Sequence, residues 1–246
     1  MLISKINGKP EIFYTFQGEG MNIGKPVIFI RLATCNLHCN FCDTPYTWLW
    51  KGTPWKHRKA KKYDIRDNSV QMSVEELVAE MKRMSIKYSC DRFTITGGEP
   101  LLQQVDILKV IQKFPTDIQF DFETNGVIAP TKDLLERSNV YFNCSPKLAH
   151  SGNSRKLRYQ PEVLKAIISK GSFKFVVVSP RDVREVKSIQ KECNIPKELI
   201  YLMPEGITKK IISDRAVWLA EVCKKNGFNL TTRLHVLVYG GSLRGV

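Results

Sequence analysis

Residues 29–48 read FIRLATCNLHCNFCDTPYTW. The apolar run Val27–Leu32 has the composition of a short buried strand, and just beyond it come Cys35, Cys39 and Cys42, spaced C-x3-C-x2-C. The three thiols therefore fall on the loop leaving the carboxyl end of a strand. A structural zinc wants four ligands, usually from two separated pairs, and the chain has no second C-x2-C and no H-x3-H. His38 lies inside the loop, too confined by its neighbours to be a natural fourth ligand. Three cysteines can instead each hold one iron of a cubane, leaving the fourth iron without a protein ligand. An open iron is a place where another molecule binds.

Further strand-like runs follow at Arg92–Thr96, Ile118–Phe122, Val140–Cys144, Ser172–Val178 and Leu199–Met203. Helix-period segments alternate with them: Val74–Met84, with Ser73 and Glu76 placed as a capping box, then Leu101–Phe114, Pro161–Lys170, Pro180–Cys193 and Thr208–Asn226. Six β/α units of this kind predict an α/β fold with a parallel sheet and right-handed crossovers. The cysteine loop, TGGEP (96–100), ETNG (123–126), SPK (145–147) and MPEG (203–206) all end strands. That edge of a parallel fold is where ligands bind.

The chain has 246 residues, 43% of them hydrophobic, enough for one sizeable core. It reads as one domain, 1–246, with a basic insertion at about 48–70. No secretory signal or long apolar span is visible, so a soluble cytoplasmic protein is expected. Seven cysteines in such a protein are not a disulfide framework, and Cys90, Cys144, Cys193 and Cys223 read as small buried thiols. The net charge is +14, and between Lys51 and Arg66 seven Lys or Arg stand against one acid, Asp64, interleaved with Trp50 and Trp55. That composition suits a nucleic-acid patch, but a solvated insertion loop remote from the pocket is the commoner source.

C-x3-C-x2-C after the first of these strands, Phe41 just before the last cysteine, and GGEP after the second strand resemble the radical S-adenosylmethionine superfamily. The resemblance implies a partial (β/α)6 barrel holding a [4Fe–4S] cluster on Cys35, Cys39 and Cys42. It also implies S-adenosylmethionine on the open iron, cleaved to a 5′-deoxyadenosyl radical. The glycines of TGGEP would let backbone meet the methionyl amino group. Phe41, Cys42, Asp43, Gly98, Ser145, Pro146 and Lys147 fall at the cofactor positions of that family.

FYTFQGEG (13–20), CDT (42–44) and the ending LHVLVYGGSLRGV (234–246) narrow the resemblance to the 7-carboxy-7-deazaguanine synthases. It implies ring contraction of 6-carboxy-5,6,7,8-tetrahydropterin with loss of ammonia, in queuosine or related 7-deazaguanine biosynthesis, with Mg²⁺ as a further requirement. Phe16, Gln17, Gly18, Thr96, His235 and the terminal Val246 then contact the pterin. Arg31 pairs with the substrate carboxylate, although an arginine at a strand end is otherwise paired to a structural acid. Thr44 matches the Mg²⁺-binding hydroxyl. Glu123 is the candidate catalytic carboxylate: ligand binding ranks first, and proton transfer second, since burial favours a neutral carboxyl. An electron donor such as flavodoxin and a homodimer are also implied. Tyr239-Gly240 replaces an expected Trp-Gly, and the basic insertion has no counterpart in the family chemistry. The rivals are a glycyl-radical-enzyme activase, which would not carry QGEG with the RGV ending, and a basic RNA-binding protein with a structural cluster.

Overall fold

The computed structural model describes residues 1–241, Arg244 and Gly245; Val246, expected at the pterin, lies outside them. The chain opens with β1 (Leu2–Ile6) and β2 (Lys9–Pro10), joined through Asn7 and Gly8, both at positive φ. Asn-Gly suits such a two-residue hairpin turn because neither residue pays much for that conformation. Next come β3 (Ile12–Phe16) and β4 (Pro26–Leu32), then the cysteine loop and basic segment, which lead to α1 (Ile65–Asn68) and β5 (Ser69–Gln71). The repeating part follows as α2 (Val74–Tyr88), β6 (Arg92–Gly97), α3 (Gln104–Ile111), β7 (Gln119–Thr124), α4 (Lys132–Glu136) and β8 (Val140–Cys144). The chain ends through α5 (Arg155–Arg158), α6 (Pro161–Ile167), β9 (Gly171–Val177), α7 (Pro180–Cys193), β10 (Ile200–Pro204), α8 (Lys209–Asn226), β11 (Asn229–Leu230) and α9 (Leu234–Tyr239).

The sheet order is β11-β10-β9-β8-β7-β6-β4-β1-β2. The six expected strands, β4 and β6 to β10, run parallel, giving an open α/β barrel. Antiparallel β3 and β1 share the far edge of β4, with Tyr14 opposite Ile28 and Ile3 opposite Leu32, and so protect an edge that would otherwise be bare. The sequence reading placed no strands there. Between the two ends of the sheet lies the Gln17–Asn22 segment: Gly20 N–H donates to Thr231 Oγ1 (2.9 Å), and Asn22 Nδ2 to Asp121 Oδ2 (3.0 Å).

Each parallel strand alternates faces. Phe93, Ile95, Phe120, Phe122, Phe142, Phe173, Phe175 and Leu202 are buried in one core against the helices. Their neighbours Thr96, Glu123, Lys174, Val176 and Met203 line the interior cavity. Each fully buried Phe contributes about 1.5–3 kcal/mol, so the outer face carries the stability and frees the inner face for polar groups.

Several elements differ from the sequence reading. The segment Leu101–Phe114 starts as a 3-10 turn, Pro100–Gln103, because the Glu99 carboxylate takes the Leu101 N–H (3.1 Å), and becomes α only at Gln104. The α6 helix tightens to 3-10 over Ile168–Lys170, immediately before β9. A short helix, α4, unanticipated, crosses from β7 to β8 behind the Thr131 cap.

Candidate active site

The cysteine loop is tied down at both ends. Thr34, at φ 77°, donates its N–H to Thr47 O (2.7 Å), and Asn40 N–H reaches Ser151 O (3.0 Å). Cys35, Cys39 and Cys42 all line one cavity, and each sulfur accepts an N–H: from Leu37 N (3.4 Å), Asn153 Nδ2 (3.4 Å) and Trp48 Nε1 (3.3 Å) respectively. Burial raises the thiol pKa values, that of Cys39 to about 11 against the opposing charge of Lys147, and those of Cys35 and Cys42 above the ordinary range. Iron binding here must therefore displace protons. The other four cysteines are buried elsewhere, and no fourth cysteine lines the cavity among the described residues. A cubane held by three thiolates fits this donor set.

TGGEP lies directly beside the loop. A Cβ on Gly98 would sit 1.7 Å from Thr34 O, and one on Gly97, at φ 126°, 2.0 Å from Leu32 O. The glycines thus permit β6 to close on the backbone that carries Cys35, with Gly98 N–H on Leu32 O (3.1 Å) and Glu99 N–H on Thr34 O (2.8 Å). Glu99 is fully buried and accepts from Thr124 Oγ1 (2.8 Å) and Asn125 N (2.7 Å), binding β6 to the end of β7. Burial raises its pKa.

The floor of the cavity is polar. Glu123 lies within β7 itself, its Oε1 accepting from Gln17 Nε2 (3.2 Å) and its Oε2 from Thr96 Oγ1 (2.8 Å). Beside them Glu19 receives Lys174 Nζ and Arg233 Nε (3.0 Å), and Arg233 also pairs with Asp43. Burial opposes the charge on Glu19, but Lys174 and Arg233 outweigh it and hold the carboxyl far below its usual range. Burial lowers the pKa of His235, against the pull of the Glu19 carboxylate. Glu19, Asp43 and His235 bring ligand atoms within 4.8 Å of one another, but the Arg233 guanidinium already bonds all three. Thr44, expected to hold Mg²⁺, also lines the cavity, its hydroxyl 3.5 Å from Cys42 Sγ.

Arg31 meets both descriptions given by the sequence. Its Nε donates to Glu11 Oε1 (3.1 Å), while it lines the cavity with terminal nitrogens that have no protein acceptor among the described residues. Glu11, 0% exposed, is a hub: Ser4 Oγ (2.9 Å), Tyr46 OH (3.1 Å) and Arg244 Nη2 (3.1 Å) also donate to it. Burial works against that carboxylate, and Arg31 with Arg244 lowers its pKa nonetheless.

Phe16, Gln17, Gly18, Phe41, Asp43, Gly98, Ser145, Lys147 and His235 reach the same cavity. Pro146 does not: it is buried behind the wall, between Ser145 and Lys147, whose side chains bond each other at 2.9 Å. The basic insertion is not remote. Trp48 is buried in the cavity wall, His57 Nε2 bonds Cys42 O (2.9 Å), and Arg58 N–H reaches Asn40 O (3.2 Å). The sequence reading missed Glu19, Trp48, Asn153, Lys174 and Arg233. For Lys174 the signal was a lone cation inside FKFVVV; Asn153 gave none, because it meets Cys39 only through the fold.

Among the described residues no helix is long and apolar enough to cross a membrane. The profile of the Radical SAM superfamily matches residues 29–243. The chain is 33% identical over 235 residues to the 7-carboxy-7-deazaguanine synthase of Pyrobaculum aerophilum, covering 94% of each. It is 30% identical to that of Clostridium acetobutylicum, over 96% of this chain and 97% of the relative. The crystal structure of QueE from Escherichia coli superposes with a TM-score of 0.68 at 26% identity, covering 91% and 92% of the two chains. A superfamily profile spanning most of the chain, and relatives at this identity from end to end, agree with the three-cysteine cavity: this chain belongs to the 7-carboxy-7-deazaguanine synthase family of radical S-adenosylmethionine enzymes.

Proposed function

We propose that the chain contracts 6-carboxy-5,6,7,8-tetrahydropterin to 7-carboxy-7-deazaguanine with loss of ammonia, the product being the one its relatives are named for. One observation carries the reading. The three-cysteine wall faces a floor where Gln17 and Thr96 hold Glu123 between the cations Arg31 and Lys174. A flat heterocycle rich in N–H donors and bearing a carboxylate complements that floor: its donors meet Glu123, and its carboxylate meets the guanidinium fork of Arg31. The superfamily's cofactors, a [4Fe–4S] cluster and S-adenosylmethionine, would supply radical chemistry at this cavity.

The protein's own part is orientation and protons. Cys35, Cys39 and Cys42 would hold the cluster, and Gly98 with Ser145 and Lys147 would cradle S-adenosylmethionine. His235 offers a ring nitrogen to the pterin. Glu123, fixed through both oxygens, binds pterin N–H groups and is the group placed to exchange a proton with the ring as it rearranges. Mg²⁺ is assigned to the Thr44 hydroxyl, a single protein ligand that leaves the remaining positions to substrate oxygen and water.

The test is anaerobic incubation of reconstituted enzyme with the pterin, S-adenosylmethionine, Mg²⁺ and dithionite. Deazaguanine is the expected product. The pterin lacking its carboxylate should turn over poorly, because leaving the terminal nitrogens of Arg31 without an acceptor costs roughly 2 kcal/mol, the low end for a broken charge pair since Glu11 still holds Nε, and Arg31→Ala should flatten the difference. Cleavage of S-adenosylmethionine without deazaguanine, with the cluster intact and reduced, would overturn the proposal.

A further inference from the structure

The inner face of the barrel carries a second polar layer below the cavity floor. Side chains alternate along a strand, so Thr94 and Asp121, each two residues before Thr96 and Glu123, share their face. Register sets Thr94 beside Asp121, Glu123 beside Asn143, and Asn143 beside Ser172. Thr94, Asp121 and Asn143 are all buried.

Among the described residues, Thr94 Oγ1, Asp121 Oδ1 and Asn143 Nδ2 have no hydrogen-bond partner. Asp121 accepts only through its other oxygen, Oδ2, from Arg92 Nη1 (2.8 Å) and Asn22 Nδ2 (3.0 Å). Asn143 uses only Oδ1, for the Ser172 hydroxyl (3.2 Å). Buried polar atoms left unpaired are rare and costly. Three of them on neighbouring strands, two oxygens and one N–H donor, make a set that internal water satisfies. A metal ion does not suit it, because Asn143 Nδ2 is a donor and Arg92 already neutralises Asp121.

The layer has Glu123 at one end and solvent at the other. Arg92 is 19% exposed, and the exposed Lys25 donates to Asn22 Oδ1 (3.0 Å). The Gln17–Asn22 segment bonds Glu123 at its first residue and Asp121 at its last, so one strut spans both carboxylates. Burial raises the Asp121 pKa against the pull of Arg92, and the charge of Glu123 adds to the rise. A carboxylate so placed takes up a proton more readily than an exposed one.

We propose that Thr94, Asp121 and Asn143 hold a file of internal waters through which Glu123 exchanges its proton with solvent at the amino-terminal ends of the strands, away from the cysteine loop. The inference rests on the proposed function, in which Glu123 exchanges a proton with the pterin. A proton taken up by Glu123 passes to the water held by Thr94 and Asn143, that water gives one to Asp121, and Asp121 releases one to solvent beside Arg92. Each hop breaks one O–H bond and forms another, and no electron moves. Thr94 and Asp121 touch no substrate and act through Glu123.

The test joins crystallography to kinetics on the reconstituted enzyme. A high-resolution crystal structure should show ordered water on Thr94 Oγ1, Asp121 Oδ1 and Asn143 Nδ2. A dry layer, with these side chains turned to pair with one another, would overturn the inference whatever the substrate proves to be. Thr94→Val and Asp121→Asn should each lower kcat for deazaguanine about fivefold or more, with KM within about twofold of wild type. Both should enlarge the solvent deuterium isotope effect on kcat, and Thr94→Ser, which restores a hydroxyl, should return both quantities toward wild type. Wild-type kcat and isotope effect in both variants, or a loss in Thr94→Val that Thr94→Ser does not rescue, would reduce the layer to structural water and overturn the relay. A wild-type enzyme that forms no deazaguanine counts against the pterin reading, whereas a dry layer counts against the water file with or without product.

Discussion

Gly18→Ala is expected to damage the pterin side of the cavity while leaving the cluster side intact. A Cβ at residue 18 would lie 2.2 Å from Nδ1 of His235, with Cγ and Cε1 at 3.1 and 3.2 Å. The ring must retreat by about 1 Å to restore ordinary contact. Its backbone cannot follow freely, since Leu234 N–H is bonded to Gly18 O (2.8 Å). Overpacking of this kind costs about 1–3 kcal/mol. If that penalty falls on the bound pterin, kcat/KM drops between roughly fivefold and 150-fold. The assay compares deazaguanine formation with 5′-deoxyadenosine released in the absence of pterin, which should stay near wild type. A double-mutant cycle sharpens the test. His235→Ala removes the ring that the methyl group strikes, so Gly18→Ala should add no further loss in the His235→Ala background. Additive losses would show that Gly18 acts through something other than His235, and wild-type activity in Gly18→Ala would refute the steric reasoning altogether.

Removal of the hub carboxylate in Glu11→Ala leaves Arg31 (17% exposed) and Arg244 (31% exposed) without their buried partner. The expected loss is about 3 kcal/mol, the low end for a broken buried pair because both arginines reach solvent, and urea unfolding would measure it. Glu11 and Glu19 both have folded pKa values below the ordinary 4.5, so their contribution is complete above that value and is lost as pH falls through the folded values. Wild-type stability should therefore decline on acidification below about pH 4.5, and less steeply in Glu11→Ala. For Thr44→Ala, a magnesium titration of turnover should show a weaker response than wild type at unchanged iron content; superimposable curves would remove Thr44 from the metal site.

Much of the site was legible because its motifs are local. C-x3-C-x2-C commits three sulfurs to one short loop, and a strand ending at Leu32 sends that loop to the ligand-bearing edge of a parallel sheet. TGGEP was legible as a strand-ending turn with glycine backbone open to a ligand, though the nearest neighbour that requires Gly98 is the Thr34 carbonyl, a contact between the loops that leave β4 and β6. The alternation of Phe122 and Phe142 with Glu123 and Asn143 was present in the sequence too. It went unread because parallel strands are expected to be apolar on both faces, whereas an open barrel with a ligand cavity keeps one face polar.

What the sequence by itself determined is the chemistry that depends on near neighbours along the chain: three thiolates for a cluster, the order of six β/α units, the Ser73 capping box and the family. What only the tertiary structure decided is which distant groups share an atom. Glu11 is claimed by Arg31 and Arg244, Glu19 by Lys174 and Arg233, and Cys39 by Asn153 across 114 residues of chain. The charged run after Trp48 was visible as charge, but its place against the cysteine loop was not. Composition fixes how many cations a segment carries; hydrogen bonds such as His57 to Cys42 O, and the packing of Trp55 on His38, set where those cations stand. Such contacts depend on how the chain folds back on itself, and no local pattern encodes them.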